Sequence, residues 1–321
     1  MKKLFTKIAI AVAGFTGVAV AQQDPQFTQF MHNKLIYNPG YAGISGAICG
    51  NVQFRQQWTS FDGAPQSLAL AVDMPVLPNL GVGLNVITDK IGPMNTLFLR
   101  VPVSYLIPVG NGGKLGLGLD VGFLQKKINN TWITPEPGKV DPNIPGAYDQ
   151  LSNPSLNKLT YDLGFGAFYQ SANRMYVGIS STHLPAQVVK GDGDLSYQMS
   201  RHYYLMAGVP ININPRNTIT PHVKVKSDAA ATAVDVNLTY MYDNMIWAGG
   251  TYRLGDAAAL MIGYQGFTPT KSLSYKIGYS YDLTMSKLKG YSGGTHEIVL
   301  GFCLMKKEKK LASYGDDRFL N

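Results

Sequence analysis

Hydrophobic residues alternate with small or polar residues along most of the chain from residue 46 onward. Over residues 115–123, for example, Leu, Val and Phe occupy every second position, with Gly or Asp between them. A period of two is typical of a β-strand whose two faces meet different surroundings. We count about fourteen such segments, within a range of roughly 12 to 16. They lie near residues 47–58, 66–74, 80–89, 95–107, 114–126, 159–170, 174–183, 200–212, 217–226, 231–242, 245–254, 257–267, 271–284 and 293–304. The chain is therefore predicted to be all-β.

The connections between the predicted strands alternate in length. Those that follow the even-numbered strands are short, at residues 75–79, 108–113, 171–173, 213–216, 243–244 and 268–270. Several of the others are long, notably 127–158 and 184–199, with 255–256 as a short exception. Outer-membrane barrels combine short periplasmic turns with longer outer loops in this way. We therefore predict a closed antiparallel transmembrane β-barrel in the outer membrane, preceded by a short N-terminal helical or irregular segment, with both chain ends in the periplasm.

A soluble β-sandwich or propeller is the alternative that strand alternation alone leaves open. In such a fold the polar face would be rich in Lys, Glu and Arg, whereas here it is rich in Gly, Ser, Asn and Thr, and charged residues make up only 15% of the chain. Aromatic residues also fall toward the strand ends, where the interface girdles of a membrane barrel lie. They include Trp58, Tyr105, Tyr169, Tyr240, Tyr242, Tyr252 and Tyr281. Both features favour the membrane barrel.

The N-terminus has the features of a secretory signal peptide. Lys2, Lys3 and Lys7 accompany an apolar run over residues 8–20, which ends in the small-x-small sequence at 19–21. We expect cleavage after Ala21, because the apolar run is shorter than the roughly 20 residues that a membrane anchor needs. The predicted organisation is a signal peptide (1–21), an N-terminal periplasmic or plug segment (22–45), the outer-membrane barrel (46–305) and a C-terminal tail (306–321).

The sequence offers little sign of catalysis. The five histidines are scattered without the short spacing of a metal site, and no nucleophile elbow, phosphate loop or calcium loop is present. The formal net charge of +8 includes no long basic run. We therefore predict neither enzyme activity, nor a cofactor or metal, nor a nucleic-acid partner.

Charged and amide side chains fall on the inward face of the predicted strands. Charges inside a barrel persist only if they are paired or hydrated, so we predict a structural network that fills the lumen in preference to a conduction path. Glycines on the same face leave room for an inserted segment. The predicted network comprises Asp73, Arg100, Asp120, Asp162, Arg253, Lys276, Asp282 and Glu297, with Arg55, Asn85 and Asp235 on the same face.

The two cysteines, Cys49 and Cys303, lie on the first and last predicted strands. Both have the inward parity and lie near the periplasmic end. These two strands must pair if the barrel closes, so the cysteines are expected to be cross-strand neighbours at the seam. Either a disulfide or two packed thiols would suit an exported protein.

The segment before the barrel does not alternate. Its hydrophobic residues from Phe27 to Leu35 have helical spacing after an Asp-Pro start, which predicts a short amphipathic helix ending near Tyr37, with residues 38–40 as the helix breaker. The apolar face of that helix needs a partner. The candidates are the lumen, the periplasmic rim of the barrel and another protein.

Two short motifs in this segment resemble a known family. The sequence Gln-Asp-Pro-Gln-Phe-Thr-Gln-Phe-Met at residues 23–31 and Asn-Pro-Gly-Tyr-Ala-Gly at residues 38–43 resemble the start of the PorP/SprF family of type IX secretion membrane proteins. Gly40 departs from the pattern, where Ala is more usual. The resemblance implies partner-binding roles for Phe27, Phe30, Tyr37, Asn38, Pro39 and Tyr41.

The resemblance also implies a function without catalysis. It implies a barrel component of type IX secretion in gliding, adhesin-secreting bacteria, which assists export or surface attachment of a large adhesin and is linked to periplasmic secretion or peptidoglycan-binding proteins. The outer loop at 127–158, with Trp132, is expected to receive the adhesin. The alternative is a transporter of small hydrophobic molecules, similar to fatty-acid transporters. A continuous apolar pocket with a lateral opening would favour transport, and a filled lumen would favour docking.

Overall fold

A computed structural model describes residues 24–60, 62–128, 156–190, 196–270 and 272–305 of the protein. The predicted signal peptide, the tail at 306–321 and most of the loop at 127–158, including Trp132, lie outside these residues. Within the described part of the chain, no helix has both the length and the apolar character needed to cross a membrane.

The described residues form seventeen β-strands in chain order. Fifteen of them belong to one sheet, and the pair β8 and β9 forms a separate small hairpin. The bounds are β1 (Ile48–Gln56), β2 (Gln66–Leu77), β3 (Leu80–Ile91), β4 (Met94–Val109), β5 (Gly113–Ile128), β6 (Leu156–Gln170), β7 (Tyr176–Thr182), β8 (Val188–Lys190), β9 (Ser196–Gln198), β10 (His202–Gly208), β11 (Ile211–Asn214), β12 (Asn217–Ser227), β13 (Thr232–Tyr242), β14 (Ile246–Arg253), β15 (Ala257–Phe267), β16 (Leu273–Thr284) and β17 (Thr295–Leu304).

The large sheet closes into a fourteen-strand antiparallel barrel, as the sequence predicts. Closure occurs where β1 pairs with β17 and where β10 pairs with β12. The predicted strand at 200–212 is divided into β10 and β11, which both pair with β12 and together occupy one position in the wall. The division falls at residues 209–210, where Pro210 has no N–H to donate to the ladder. The predicted long connection at 184–199 contains the β8–β9 hairpin.

The two faces of the wall have opposite chemistry. The outward residues Leu117 and Ile277 remain 39% and 51% exposed, although both are apolar. On the inward face, Asp120 and Asp162 are almost completely buried. A barrel with an apolar outside and a polar inside is suited to a lipid bilayer, because lipid tails cover the apolar face.

The N-terminal segment, residues 24–47, lies inside the barrel, and we call it the plug. The predicted amphipathic helix is wrong: only two three-residue 3₁₀ turns form, at Phe30–His32 and Pro39–Tyr41. The physical reason is that the plug bonds to the wall instead of to itself. The backbone N–H groups of Thr28 and Gln29, for example, donate to the side chain of Glu297 on β17.

The plug extends between the two rims of the barrel. Asp24 contacts His183 and His202, at the rim that carries the long connections, which we call the long-loop rim. Gly43 and Ile44 lie at the opposite, short-turn rim, where the Lys114 side chain donates to the Ile44 carbonyl. β17 ends at Leu304 on the short-turn rim beside the start of β1. The first and last described residues are therefore at opposite rims, and the chain ends themselves lie outside the described residues.

Candidate functional site

The hydrophobic part of the plug fills the middle of the lumen. Phe27, Phe30 and Tyr37 are almost completely buried, and they belong to the main hydrophobic core of the protein. The Tyr37 ring lies 5.5 Å from the Tyr204 ring of the wall. The sequence implied that these residues, with Asn38, Pro39 and Tyr41, bind a partner. The structure places all six inside the barrel, where they contact the wall; five are buried and Tyr41 is partly buried.

A stripe of wall glycines allows the second 3₁₀ turn of the plug to touch the barrel backbone. A Cβ atom on Gly118 would lie 2.3 Å from the carbonyl carbon of Pro39, and one on Gly116 would lie 2.0 Å from the carbonyl oxygen of Gly40. Both distances are far below a van der Waals contact, so any side chain there would displace the turn. Gly40 itself is similarly confined, because its own Cβ would lie 2.6 Å from the Gly116 carbonyl oxygen.

Asn38 fixes this turn by hydrogen bonds in both directions. Its side-chain oxygen accepts from the backbone N–H of Gly40 at 2.9 Å, which caps the turn. Its side-chain nitrogen donates to the carbonyls of Ala167 and Ile179, each at 3.0 Å. These two carbonyls belong to the neighbouring strands β6 and β7, so Asn38 attaches the plug to two strands at once.

An ion-pair cluster holds the first part of the plug. Arg55 on β1 lies between Asp282 and Glu297, with N···O distances of 2.8 and 3.0 Å. Glu297 accepts the backbone N–H groups of Thr28 and Gln29 at 2.7 and 2.8 Å. The Thr28 hydroxyl donates to Asp282 at 2.6 Å and accepts from Arg55 at 2.8 Å. Wall charges and plug backbone are therefore bonded to one another in a single buried cluster.

The same cluster continues to the next strands. Arg253 on β14 and Lys224 on β12 each lie 2.8 Å from an oxygen of Asp235. Arg253 is also 3.8 Å from Asp282, which connects the two halves. The Lys224 amino group donates to the carbonyl of Phe27 at 3.3 Å, so the plug is bonded here as well. The cluster pairs three cations with three buried carboxylates, as a buried charge requires.

A second polar cluster lies at the long-loop rim. His183 lies between two carboxylates, with its Nε2 2.9 Å from Asp24 and its Nδ1 3.0 Å from Asp162. Arg100 pairs with Asp162 at 3.7 Å and with Asp120 at 4.0 Å. Asp24 of the plug therefore meets a charged group of wall residues.

In this second cluster, Asp24 and His183 lie outside the strands. Burial and the neighbouring charges shift the pKa of each of them in opposite directions. Burial alone would lower the pKa of His183, but the Asp24 carboxylate and the adjacent Asp162 raise it to about 9. Burial alone would raise the pKa of Asp24, but His183 and His202 hold it well below its usual range. At neutral pH Asp24 is therefore ionised and His183 is protonated.

The remaining predicted network residues attach the plug individually. Asp73 accepts the backbone N–H of Gly43 at 2.9 Å, and the Lys276 amino group is 3.4 Å from the carbonyl of His32. Asn85 donates to the carbonyl of Leu35 at 3.1 Å. The structure therefore brings the predicted lumen residues together as two clusters and separate anchors instead of one network.

Sequence reasoning missed several lumen residues. Lys224 and Lys226 share the inward parity of β12, so the period of two was a sufficient signal for them. Trp247 is fully buried in the lumen, where its ring packs on Gly263 and Gly278. His183 and His202 are nineteen positions apart in the sequence. Both contact Asp24, which belongs to the plug, so their proximity could not be read from the strand pattern.

The two cysteines lie at the seam of the barrel. Cys49 and Cys303 are directly opposite each other in the β1–β17 register. Their Cα atoms are 4.1 Å apart, and a disulfide joins them. The first and last strands are therefore connected covalently as well as by hydrogen bonds.

Solved structures with a similar fold are outer-membrane-type channels. The protein titled "CymD monoaromatic hydrocarbon channel" is 12% identical, with a TM-score of 0.51 over 89% of this chain and 94% of that one. The Ralstonia pickettii toluene transporter TbuX is also 12% identical, with a TM-score of 0.50 over 84% of this chain and 92% of that one. At this identity the likeness concerns the fold alone.

Sequence comparison supplies the family. No curated protein matches the chain. The family model described as "Type IX secretion system membrane protein PorP/SprF" matches residues 19–302, which include the plug and nearly the whole barrel. This is a family of secretion-system membrane proteins and not of enzymes. The chain therefore belongs to the PorP/SprF family of type IX secretion system membrane proteins.

Proposed function

We propose that the protein is a plugged outer-membrane scaffold of the type IX secretion system, which assists the export or surface attachment of a large adhesin. In this proposal the long-loop rim faces the cell exterior and receives the adhesin. The short-turn rim faces the periplasm and contacts secretion or peptidoglycan-binding proteins. Family membership supports the secretion role, and the adhesin and the periplasmic partners are the proposed part.

The filled lumen is the observation that carries the scaffold role. The plug contacts the wall from Asp24 at one rim to Ile44 at the other. Its bonds include charge-assisted hydrogen bonds to Glu297 and close backbone contacts at Gly116 and Gly118. A lumen held closed in this way does not conduct a polypeptide or a solute. The functional surfaces are then the two rims and the lipid-facing wall.

Transport of small hydrophobic molecules is the alternative, and the plug argues against it. Transport would need a continuous apolar passage through the lumen or its wall. In the described part of the lumen, the middle is occupied by plug side chains such as Phe27, Phe30 and Leu35. The fold likeness to hydrocarbon channels gives no support beyond the architecture.

The long-loop rim offers an apolar surface for a protein partner. A cavity of about 470 Å³ opens there between the β1–β2 and β3–β4 connections and the 3₁₀ turn at Lys287–Gly290. Trp58, Pro65 and Ile91 are among its lining residues. β5 ends and β6 begins at the same rim, and the connection between them belongs to the stretch 127–158 that the sequence predicts to receive the adhesin.

A complementation experiment tests this role. The chromosomal gene is deleted, and the strain receives either the natural gene or a variant in which residues 132–152 are replaced by a short Gly-Ser linker. Surface adhesin is measured by antibody on intact cells, and barrel assembly is measured from the outer-membrane fraction. We expect the loop variant to assemble but to leave the cells without surface adhesin. Uptake of small hydrophobic molecules should be unchanged in every strain.

The matched control inserts the same linker between Ala229 and Ala230, in the exposed turn between β12 and β13 at the same rim. This variant should retain surface adhesin. Normal surface adhesin in the deletion strain would refute the proposal. Loss of small-molecule uptake with adhesin intact would favour the transport alternative.

A further inference from the structure

Three potential metal ligands meet where the plug begins. Asp24, His183 and His202 come from the plug, from the connection after β7 and from the start of β10. Each contributes one oxygen or imidazole nitrogen, and these atoms all lie within 4.8 Å of one another. The closest pair, Asp24 Oδ1 and His183 Nε2, is 2.9 Å apart. Tetrahedral zinc, with bonds of about 2.0–2.1 Å, needs ligand atoms only slightly farther apart than this.

A hydrogen bond of His202 and an ion-pair contact of His183 orient Nε2 of both imidazoles toward the common centre. The Nδ1–H of His202 donates to the Ser200 carbonyl at 3.1 Å, so its Nε2 is unprotonated and can accept a hydrogen bond or bind a metal. That nitrogen accepts from the Asp24 backbone N–H at 3.2 Å and therefore points at the plug. Nδ1 of His183 is 3.0 Å from the Asp162 carboxylate, and its Nε2 faces Asp24. A carboxylate or carbonyl on the far nitrogen is the usual outer-shell support of a metal-binding histidine.

The carboxylate of Asp24 is oriented in the same manner. The Tyr204 hydroxyl donates to Oδ2 at 2.7 Å, which leaves Oδ1 toward His183. The backbone carbonyl of Asp24 accepts from Lys226 at 2.8 Å and fixes the position of the residue. Each of the three side chains is thus held by wall groups that are not themselves ligands.

A small cavity beside these residues supplies space for a fourth ligand. Asp24, His183 and His202 line it, together with Asp89 and Lys126, and its volume is about 90 Å³. One water needs roughly 10–15 Å³ of such space, so several waters fit. Two imidazoles, one carboxylate and a water form a ligand set typical of zinc. Magnesium and calcium prefer oxygen ligands throughout, so the two imidazoles disfavour them.

Zinc binding at His183 requires release of the proton that lies between this histidine and the carboxylates of Asp24 and Asp162, and the zinc ion takes the place of that proton. His183 also has a left-handed backbone, with φ of 56°, which is uncommon for a residue other than glycine and concentrates at functional positions.

We propose that Asp24, His183 and His202 form a zinc site that fastens the start of the plug to the barrel wall. The ligands come together only when the plug is seated, because Asp24 belongs to the plug and both histidines belong to the wall. Zinc therefore binds the plugged barrel and stabilises it by mass action. This inference does not depend on the adhesin role, since it concerns the attachment of the plug alone.

Metal binding by the purified, mature full-length protein tests the proposal. The protein in detergent is stripped with a chelator, exchanged into buffer with Zn²⁺ and washed, and zinc per chain is measured by elemental analysis. We expect one zinc per chain, and Co²⁺ in its place should give the visible absorption of a tetrahedral site. Hydrogen exchange of the peptide that contains residues 24–30 should slow when zinc is added.

Variants identify the ligands. His202→Gln and Asp24→Asn should each weaken zinc binding by at least ~100-fold, since loss of an outer-shell partner alone costs about 10–100-fold. Asp162→Asn, which changes only a neighbour of His183, should weaken zinc binding by about 10–100-fold. The control is His296→Gln, because His296 lies beside Tyr279 on β16, away from the plug. It should bind zinc as the natural protein does.

The zinc proposal can be tested even if a ligand variant does not fold. Failure of the natural protein to retain zinc would overturn the proposal without any variant. Equal zinc affinity in the natural protein and in a folded His202→Gln variant would also overturn it. Loss of zinc from the ligand variants with normal surface adhesin would support the site and leave the proposed secretion role unaffected.

Discussion

Replacing Glu297 of the wall by glutamine should weaken the attachment of the plug while keeping the shape of the side chain. Glutamine has nearly the same shape as glutamate, so Glu297→Gln leaves no cavity. It removes the negative charge that accepts two plug N–H groups, from Thr28 at 2.7 Å and Gln29 at 2.8 Å. It also replaces one acceptor oxygen by an NH₂ group, which leaves one of these buried donors without an acceptor. Arg55 then keeps Asp282 as its one carboxylate partner in this cluster.

The expected cost follows from these losses. Hydrogen bonds to a charged acceptor contribute about 1.5–3 kcal/mol each, and a buried donor left unpaired costs about 1–3 kcal/mol. Breaking one side of a buried ion pair costs about 3–5 kcal/mol in all. We therefore expect the free energy of opening the plug at Thr28 and Gln29 to fall by about 3–5 kcal/mol. Because 1.4 kcal/mol corresponds to a factor of ten, amide exchange there should accelerate roughly a hundred- to several-thousand-fold.

Hydrogen exchange detected by mass spectrometry measures this directly on the plug peptide that contains residues 27–31. The matched control is Asp256→Asn, the same chemical change at a carboxylate that is 34% exposed and 3.2 Å from Arg253. Its effect should stay within about 1 kcal/mol, as for other solvent-accessible pairs. Unchanged exchange in Glu297→Gln, or equal acceleration in both variants, would refute the ion-pair account of plug seating.

Three further changes test other contacts. Gly118→Ala places a methyl group 2.3 Å from the Pro39 carbonyl carbon, so it should destabilise the seated plug by about 1–3 kcal/mol in exchange measurements. The control Gly250→Ala should have little effect, because the nearest atom to its methyl group would be 3.5 Å away. Replacing both Cys49 and Cys303 by alanine should lower the free energy of unfolding by about 2–5 kcal/mol in denaturant titrations, with plug exchange unchanged. Burial, with the nearby Lys276 and Arg174, lowers the pKa of Lys34 to about 7, so the contribution of Lys34 to plug stability should increase from pH 7 toward pH 10, where the unfolded chain still binds the proton. Exchange corrected for its intrinsic pH dependence should show this increase as a difference between the natural protein and Lys34→Met, which keeps the titration of His183, Lys226 and Lys276.

Much of the wall could be predicted because its signal is local. Alternation of period two depends only on which face meets lipid, so residues such as Leu117 and Asp120 reveal their orientation without knowledge of their neighbours. The strand count and the neighbouring positions of Cys49 and Cys303 follow from the same pattern once the barrel closes. The divided strand at Pro210 was not foreseen, although proline is a known obstacle to a continuous ladder.

The plug could not be predicted in the same way, because its conformation depends on the barrel around it. Its hydrophobic spacing predicted a helix, yet Glu297 and Asn38 supply hydrogen bonds that replace those of a helix. The aromatic residues predicted to bind a partner pack instead on the wall. The convergence of Asp24, His183 and His202 was likewise invisible, since the three residues are far apart in the sequence and meet only after the plug is inserted.

The central claim is that the barrel of this PorP/SprF family member is closed by its own N-terminal segment. Conductance across a planar lipid bilayer measures this most directly, with the mature full-length protein compared with a variant that lacks residues 24–37. The natural protein should insert without steady conductance, because the plug occupies the lumen between the two rims. The shortened variant should produce stepwise, ohmic channels. Steady open channels from the intact protein, or identical behaviour of the two proteins, would contradict the plugged-scaffold account.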